Sequence, residues 1–147
     1  MDRLKDHDAY LLERGHEQAI THRLALYLQD EFPDWHVDVE FNRNLGDAKR
    51  LTYARIGEPE PHKHGVRPDI IVHQRGKRQN LLIVEAKKQG EGVADTEAKL
   101  RAATGQGDAL NYGFGVLVIL PTRDRPVICN WFQRGQQIEN STGTANT

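Results

Sequence analysis

The feature that most constrains the fold is a pair of apolar runs, residues 66–73 and 81–87, separated by a short polar segment. Both runs are rich in branched side chains, which favour β-strands. The polar segment, residues 74–80, contains Gly76 and is short enough to form a turn. The sequence therefore predicts a β-hairpin in the middle of the chain.

Helices and further strands are predicted on both sides of this hairpin. They are helices over residues 8–30 and 95–112 and strands over residues 35–44, 114–120 and 126–132. Gly15 is expected to interrupt the first helix, and residues 114–120 are apolar apart from Gly115, as in a central strand covered on both faces. The order predicts an α/β fold with a mixed central β-sheet flanked by α-helices.

A chain of 147 residues is long enough for one domain with a substantial core. We expect this single domain to cover residues 1–135. Residues 45–65 contain prolines, glycines and many charges, which predicts a long connection. Residues 136–147 are rich in Asn, Ser, Thr and Gly, so they predict a flexible C-terminal tail.

Composition excludes several classes of protein. No apolar stretch approaches the roughly 20 residues that a membrane helix needs, and the first residues lack the apolar core of a signal peptide. Cys129 is the only cysteine, which excludes an internal disulfide and a cysteine-based zinc site. A cytoplasmic protein with no membrane partner is therefore expected.

Charge is distributed unevenly along the chain. The 20 Lys and Arg residues nearly balance 21 Asp and Glu residues, so the protein is not a simple polycation. Between residues 43 and 78, however, nine basic and four acidic residues leave a charge of +5. This segment is either a solvated surface or a surface that faces phosphates, and charge alone favours the solvated surface.

The ends of the predicted hairpin carry two acids. With a symmetric turn, Asp69 lies opposite Glu85 and Arg67 lies opposite Lys87. Facing carboxylates repel each other, and apolar neighbours strengthen the repulsion. A proton on one carboxyl, an ion pair with Lys87 or Arg67, or a divalent cation can each relieve it; hard oxygen ligands without cysteine favour Mg²⁺ or Mn²⁺.

A third acid, Glu17, lies on the inward stripe of the first predicted helix, at helical spacing from Ile20 and Leu24. An acid on a core-facing stripe is costly unless it is paired or coordinates a metal. Alternatively, Glu17 lies at the start of the helix and complements the helix dipole. Glu13, one turn earlier, is a rival for the same role.

Pro68-Asp69, followed after fifteen residues by Glu85-Ala86-Lys87, resembles the PD-(D/E)XK signature of restriction endonuclease-like nucleases. The predicted order also resembles this family: a helix, the Pro-Asp strand, the Glu-x-Lys strand, a helix and a strand. The resemblance covers roughly residues 13–132. It implies a restriction endonuclease-like core.

The resemblance also implies roles for individual residues. Asp69 and Glu85 would ligate Mg²⁺, with the carbonyl of Ala86 as a further ligand. Lys87 would orient or deprotonate the attacking water, or stabilise the phosphate in the transition state. Glu17 would match the acid that many members carry on their first helix, as a catalytic or metal-ligating residue. The expected activity is that of a Mg²⁺-dependent endonuclease that hydrolyses phosphodiester bonds.

DNA is the expected partner, with RNA as the alternative substrate. The residues expected to contact nucleic acid are Lys49, Arg50, Arg67, Lys88 and Gln106. Gln106 followed by Tyr112 loosely matches a pattern of some family members, and Lys99, Arg101 or Asn111 could face substrate instead. A homodimer is one way to cut both strands. The competing hypothesis is a non-catalytic nucleic-acid-binding or assembly module with the same fold.

Overall fold

The computed structural model describes residues 2–41, 43–44, 47–90, 92–105, 110–121 and 125–143. The helices are α1 (Asp2–His7), α2 (Ala9–Arg14), α3 (Glu17–Glu31) and α4 (Val93–Thr104). The strands are β1 (His36–Val39), β2 (Arg43–Asn44), β3 (Asp47–Ala48), β4 (Arg50–Tyr53), β5 (His62–Gly65), β6 (Ile70–Gln74), β7 (Gln79–Lys87), β8 (Phe114–Ile119), β9 (Val127–Gln133) and β10 (Gln136–Gly143). Every helix within the described residues is too short or too polar to cross a membrane.

Six strands form one mixed sheet in the order β1-β6-β7-β8-β9-β10. Strands β7 and β8 are parallel, and the other neighbouring pairs are antiparallel. Helix α4 connects the two parallel strands, because a parallel pair needs a crossover rather than a tight turn. The predicted α/β class and the predicted hairpin, β6–β7, are therefore confirmed.

Each face of the sheet packs against one long helix. Ile20 and Leu24 of α3 belong to an apolar cluster with Val84 on one face. Leu100 and Ala103 of α4 belong to a second cluster on the opposite face, called here the α4-side cluster. Because side chains alternate along a strand, β7 sends every second residue to each helix.

The first predicted helix breaks where the sequence indicated. Helix α2 ends before Gly15, whose N–H donates to the Leu11 carbonyl at 2.7 Å. A Cβ at Gly15 would lie only 2.6 Å from that carbonyl oxygen, so a larger residue would force this tight connection open. Helix α3 begins two residues later, which places Glu17 in its first turn.

Several predicted elements differ from the structure, and the strand predicted from residue 66 begins only at Ile70. Strand β1 ends at Val39 because Glu40 has a φ of 50°, which strand geometry does not allow. Helix α4 ends at Thr104 because Gly105 has extended backbone angles. The connection predicted over residues 45–65 contains an antiparallel pair, β4 and β5, which the charged sequence did not indicate.

The C-terminal segment also differs from its prediction. Instead of a flexible tail from residue 136, the chain turns at Arg134 and Gly135, both with positive φ, and pairs β10 with β9. Backbone hydrogen bonds can hold an edge strand whose side chains are mostly polar, so the polar composition gave no indication of β10. Residues 144–147 lie outside the described residues.

Candidate active site

The register of the β6–β7 hairpin brings the two predicted acids together. Ile71 faces Ile83, as the symmetric turn predicts, and Ile70 faces Val84. The ladder is irregular only near the turn, between Val72 and His73, far from the acids. One step beyond Ile70, the same register places Asp69 beside Glu85.

Asp69 is held in place by both of the strands that flank it. Its Oδ2 accepts a hydrogen bond from the Ala86 N–H at 2.8 Å, so the side chain continues the ladder where β6 begins. Its carbonyl accepts from the Glu40 N–H at 3.1 Å. The carboxylate of Asp69 is therefore fixed against β7, and its side chain is half-buried.

Glu85 is almost completely buried, with 3% of its surface exposed. Burial raises the pKa of the Glu85 carboxyl to about 8, although the neighbouring Lys99 ammonium opposes this shift. The Asp69 carboxyl raises the pKa further, by charge and by a hydrogen bond between the two groups. The two acids therefore lie close together and interact. The repulsion between facing carboxylates was predicted from the sequence.

The cation that balances this pair is Lys99, which is neither of the predicted partners. Its Nζ forms an ion pair with Glu85 Oε1, and 15% of the Lys99 side chain is exposed. Lys99 lies three residues after Thr96 and four before Ala103, both buried on the inner side of α4. That spacing places Lys99 beside the inward stripe, so the sequence did carry a signal for its orientation.

Lys87 ends β7 on the same face as Glu85, because the two residues are two positions apart. Its carbonyl accepts from the Leu120 N–H at 2.8 Å, which fixes the end of the strand. Lys87 is half-buried, and its ammonium makes no ion pair with any residue that the structure describes. Lys87 is therefore a lysine without an ion pair, within the described residues, on the same strand face as Glu85.

Ala86 lies between the acid and the lysine and is fully buried. Its N–H points to Asp69, and the N–H and carbonyl of one strand residue lie on the same edge of the strand. The Ala86 carbonyl is thus directed toward the same edge as Asp69. This is the edge at which the sequence predicted a third oxygen ligand.

Glu17 and Asp69 line one cavity of about 710 Å³ at the start of α3. Glu40, His16 and His22 also line this cavity. Among the described residues, no three His, Cys, Asp or Glu side chains lie close enough together to hold a metal ion. Glu17 therefore shares a cavity with Asp69 but does not complete a cluster of three acids.

The residues predicted to contact nucleic acid do not share one environment. Arg50, Arg67 and Lys88 are exposed, whereas Gln106 lies outside the described residues. Lys49 differs from its prediction: it is 2% exposed, and its Nζ donates to Tyr112 Oη at 2.9 Å. Burial lowers the pKa of Lys49 to about 8, and the buried ammonium cannot reach a phosphate at the surface.

A second polar cluster lies near the turn of the hairpin. Asp38 of β1 accepts hydrogen bonds from Arg75 Nε at 2.9 Å and from His73 Nε2 at 2.7 Å. The Arg75 hydrogen bond is the main reason that the pKa of Asp38 is lowered to about 2, while burial lowers the pKa of His73. Because Asp38 and His73 belong to neighbouring strands, this cluster joins β1 to β6.

Comparisons with protein-family models, with curated proteins and with solved structures found no match to this chain. The site itself combines two adjacent carboxyl groups, a lysine on the same strand face as Glu85 and a cavity lined by Asp69.

Proposed function

We propose that the protein is a divalent-metal-dependent nuclease with a restriction endonuclease-like core, hydrolysing phosphodiester bonds with DNA as the expected substrate. One observation carries the proposal: the carboxyl groups of Asp69 and Glu85 meet at the ends of two neighbouring strands, with Lys87 following on the same face as Glu85. Acids are rarely brought this close in a core without a function, because their repulsion is costly.

The donor set fits a hard divalent ion. Two carboxylates and a backbone carbonyl at one strand edge are ligands that Mg²⁺ and Mn²⁺ accept, and no sulfur competes nearby. Lys99 balances only one negative charge when both carboxyls are ionised, so a divalent ion would displace the proton that Glu85 holds up to about pH 8 and share the pair. When bound there, such an ion would lower the pKa of a water molecule and neutralise the phosphate.

The side chains of the site would have separate roles. Asp69 reaches the open cavity and is held by the Ala86 amide, so its free oxygen keeps a fixed direction. Glu85 is the inner, buried acid. Lys87 is free to orient or deprotonate the attacking water or to contact the phosphate. Glu17 lines the same cavity as Asp69 and would contact the same water or phosphate.

The order of elements supports the same proposal. Helix α3, strands β6 and β7, helix α4 and strand β8 occur in the order that the resemblance implies, with β1 to β5 between α3 and β6, and the Pro-Asp and Glu-x-Lys segments fall at the same end of the hairpin. The mixed sheet with a long helix on each face is compatible with a restriction endonuclease-like core.

A cleavage assay with Mg²⁺ or Mn²⁺ tests the proposal across duplex, nicked, branched and single-stranded DNA and RNA. Lys87→Ala should reduce cleavage by about 100-fold or more, which is the usual contribution of a positioned acid–base group. Lys77→Ala is the matched control, because Lys77 is exposed in the turn at the other end of the same hairpin. Equal behaviour of wild type and Lys87→Ala on every substrate would overturn the proposal.

The Glu85–Lys99 pair favours one alternative, a non-catalytic nucleic-acid-binding or assembly module. An acid that is buried and already paired with a lysine can be a purely structural element. Under this alternative, the protein binds nucleic acid or a partner but cleaves no substrate in the panel. It also gives no heat on titration with Mg²⁺ or Mn²⁺, whereas a nuclease would bind the ion.

A further inference from the structure

Strands β4 and β5 form a two-stranded ribbon whose two faces differ. Arg50 pairs with Gly65, and Thr52 pairs with Lys63. Residues directly opposite each other in an antiparallel pair lie on the same face. These four residues therefore share one face, and Leu51, which lies between Arg50 and Thr52, points to the other.

The inner face anchors the ribbon to the domain. Leu51 and Tyr53 are buried in the α4-side cluster. At the base of the ribbon, Lys49 donates to Tyr112, and at its tip the Ile56 N–H donates to Asp95 Oδ1 at 2.7 Å. The ribbon is therefore held against α4 and the core at both ends, so its outer face has a defined orientation.

The outer face carries unpaired positive charge. Arg50 and Lys63 are exposed, and Arg67, which follows two residues after the end of β5 and the buried Val66, is also exposed. None of the three cations forms an ion pair within the part of the chain that the structure describes. The outer face, named here the basic ribbon, consists of Arg50, Thr52, Lys63, Gly65 and Arg67.

We infer that the basic ribbon is a binding surface for the phosphate backbone of a nucleic acid. Arg67 precedes Asp69 by two residues, about 7 Å of extended chain, and Lys63 lies about 13 Å further back. A nucleic-acid backbone that contacts these cations would also pass close to the paired acids. This part of the inference rests on the proposed nuclease function. A two-stranded ribbon is also narrow enough to enter the major groove of a duplex.

The chemistry of the surface favours a polynucleotide over an acidic protein. Protein interfaces of useful affinity have an apolar centre surrounded by polar residues. The basic ribbon has no large apolar side chain among its five members. Its spaced cations and the Thr52 hydroxyl instead match the groups that contact phosphates, which position a nucleic acid without reading its sequence.

Gly65 provides a test that leaves the fold intact. Its φ is ordinary, and a Cβ at this position would meet no atom within 4 Å, so side chains are accommodated. Gly65→Glu adds a carboxylate opposite Arg50 at the centre of the basic ribbon. Gly65→Ser is the matched control, because it changes the backbone entropy in the same way without adding charge.

The measurement is fluorescence anisotropy of a labelled 20-base-pair DNA duplex, titrated in EDTA at several salt concentrations so that no cleavage occurs. Wild type should show a slope of log affinity against log salt of about −3, as for roughly three phosphate contacts. Gly65→Glu should weaken binding by about tenfold or more and Gly65→Ser by less than about twofold. Thermal unfolding of both variants should match wild type.

Three outcomes would overturn the inference. The first is equal affinity of Gly65→Glu and wild type for the duplex. The second is a double variant, Arg50→Gln with Lys63→Gln, that keeps the wild-type salt slope instead of losing about two units. The third is binding of polyglutamate as tightly as the duplex, which would identify an acidic protein as the partner.

The inference and the nuclease proposal can fail separately. Binding in EDTA does not require a metal ion or turnover, so the duplex affinity of Gly65→Glu reports on the ribbon whether or not any protein cleaves a substrate. If Gly65→Glu binds normally while Lys87→Ala abolishes cleavage, the ribbon is not the binding surface and the nuclease proposal stands. If Gly65→Glu loses binding and no protein cleaves any substrate, the ribbon inference stands and the nuclease proposal fails.

Discussion

At the scale of single residues, the sequence identified the paired acids but not the residue that balances them. Asp69 and Glu85 follow from counting along two strands, because strand geometry repeats every two residues. The contact between Lys99 and Glu85 depends on how α4 packs across the sheet. A tertiary contact of this kind cannot be derived from the spacing of residues within one segment. The same limit applies to Lys49, because a count of charges does not distinguish the two faces of a ribbon.

The raised pKa of Glu85 predicts a dependence of stability on pH. The folded-state pKa of about 8 exceeds the ordinary value of 4.5, so the folded protein binds more protons than the unfolded chain between these values. The contribution of Glu85 is therefore fully present below about pH 4.5 and is lost as pH rises through 8. Glu85→Gln should remove this loss, which is on the order of a few kcal/mol.

Urea unfolding in EDTA at pH 5 and pH 8.5 measures this contribution as the difference between wild type and Glu85→Gln. The comparison with the variant is needed because other groups titrate as well. The lowered pKa of His73 makes stability rise with pH up to about 6.5, and the lowered pKa of Lys49 does the same above about 8. An identical change in free energy of unfolding for both proteins would contradict the assigned environment of Glu85.

At the scale of elements, the hairpin was predictable and its surroundings were less so. The length and apolar character of residues 81–87 were sufficient to predict β7. The short polar turn was sufficient to predict that β7 pairs with β6. Strand β4 alternates polar and apolar residues over only four positions, too few to be distinguished within a charged segment, whereas β10 is largely polar and is held by backbone hydrogen bonds. The early end of β1 depends on the φ of Glu40, a local backbone feature.

The connection of β1 to the hairpin predicts the effect of changing Asp38. Asp38→Asn removes the charge that accepts hydrogen bonds from His73 and Arg75, so it should lower the free energy of unfolding by about 1–3 kcal/mol at pH 7. Asp34→Asn is the control, because Asp34 is exposed. Chemical denaturation measures both variants.

The same substitution has a predicted pH window. The pKa of Asp38 is lowered to about 2 from an ordinary 3.8, so its stabilising contribution is present above about pH 3.8 and is lost as pH falls toward 2. The deficit of Asp38→Asn relative to wild type should therefore shrink below about pH 4. A deficit equal to that of Asp34→Asn at pH 7 would mean that the cluster does not stabilise the attachment of β1.

At the scale of the whole molecule, the fold class followed from the order of predicted elements, and the mixed sheet with a helix on each face agrees with it. The position of the candidate site also followed from the sequence, because both halves of the motif occur at strand ends of one hairpin. The sequence named Arg50 and Arg67 of the basic ribbon as expected contacts, but it also named the buried Lys49, because it does not show which side of β4 and β5 is buried.

The most direct measurement is isothermal titration calorimetry with Mg²⁺ and Mn²⁺ on metal-free wild type and on Asp69→Asn. An Asn at this position can still accept the Ala86 N–H and relieves the repulsion with Glu85, so its free energy of unfolding in EDTA should stay within about 1 kcal/mol of wild type. We expect saturable binding of Mg²⁺ or Mn²⁺ to wild type and no binding to Asp69→Asn. Absence of binding to wild type, or equal binding to both proteins, would contradict the claim that these two acids share a divalent ion.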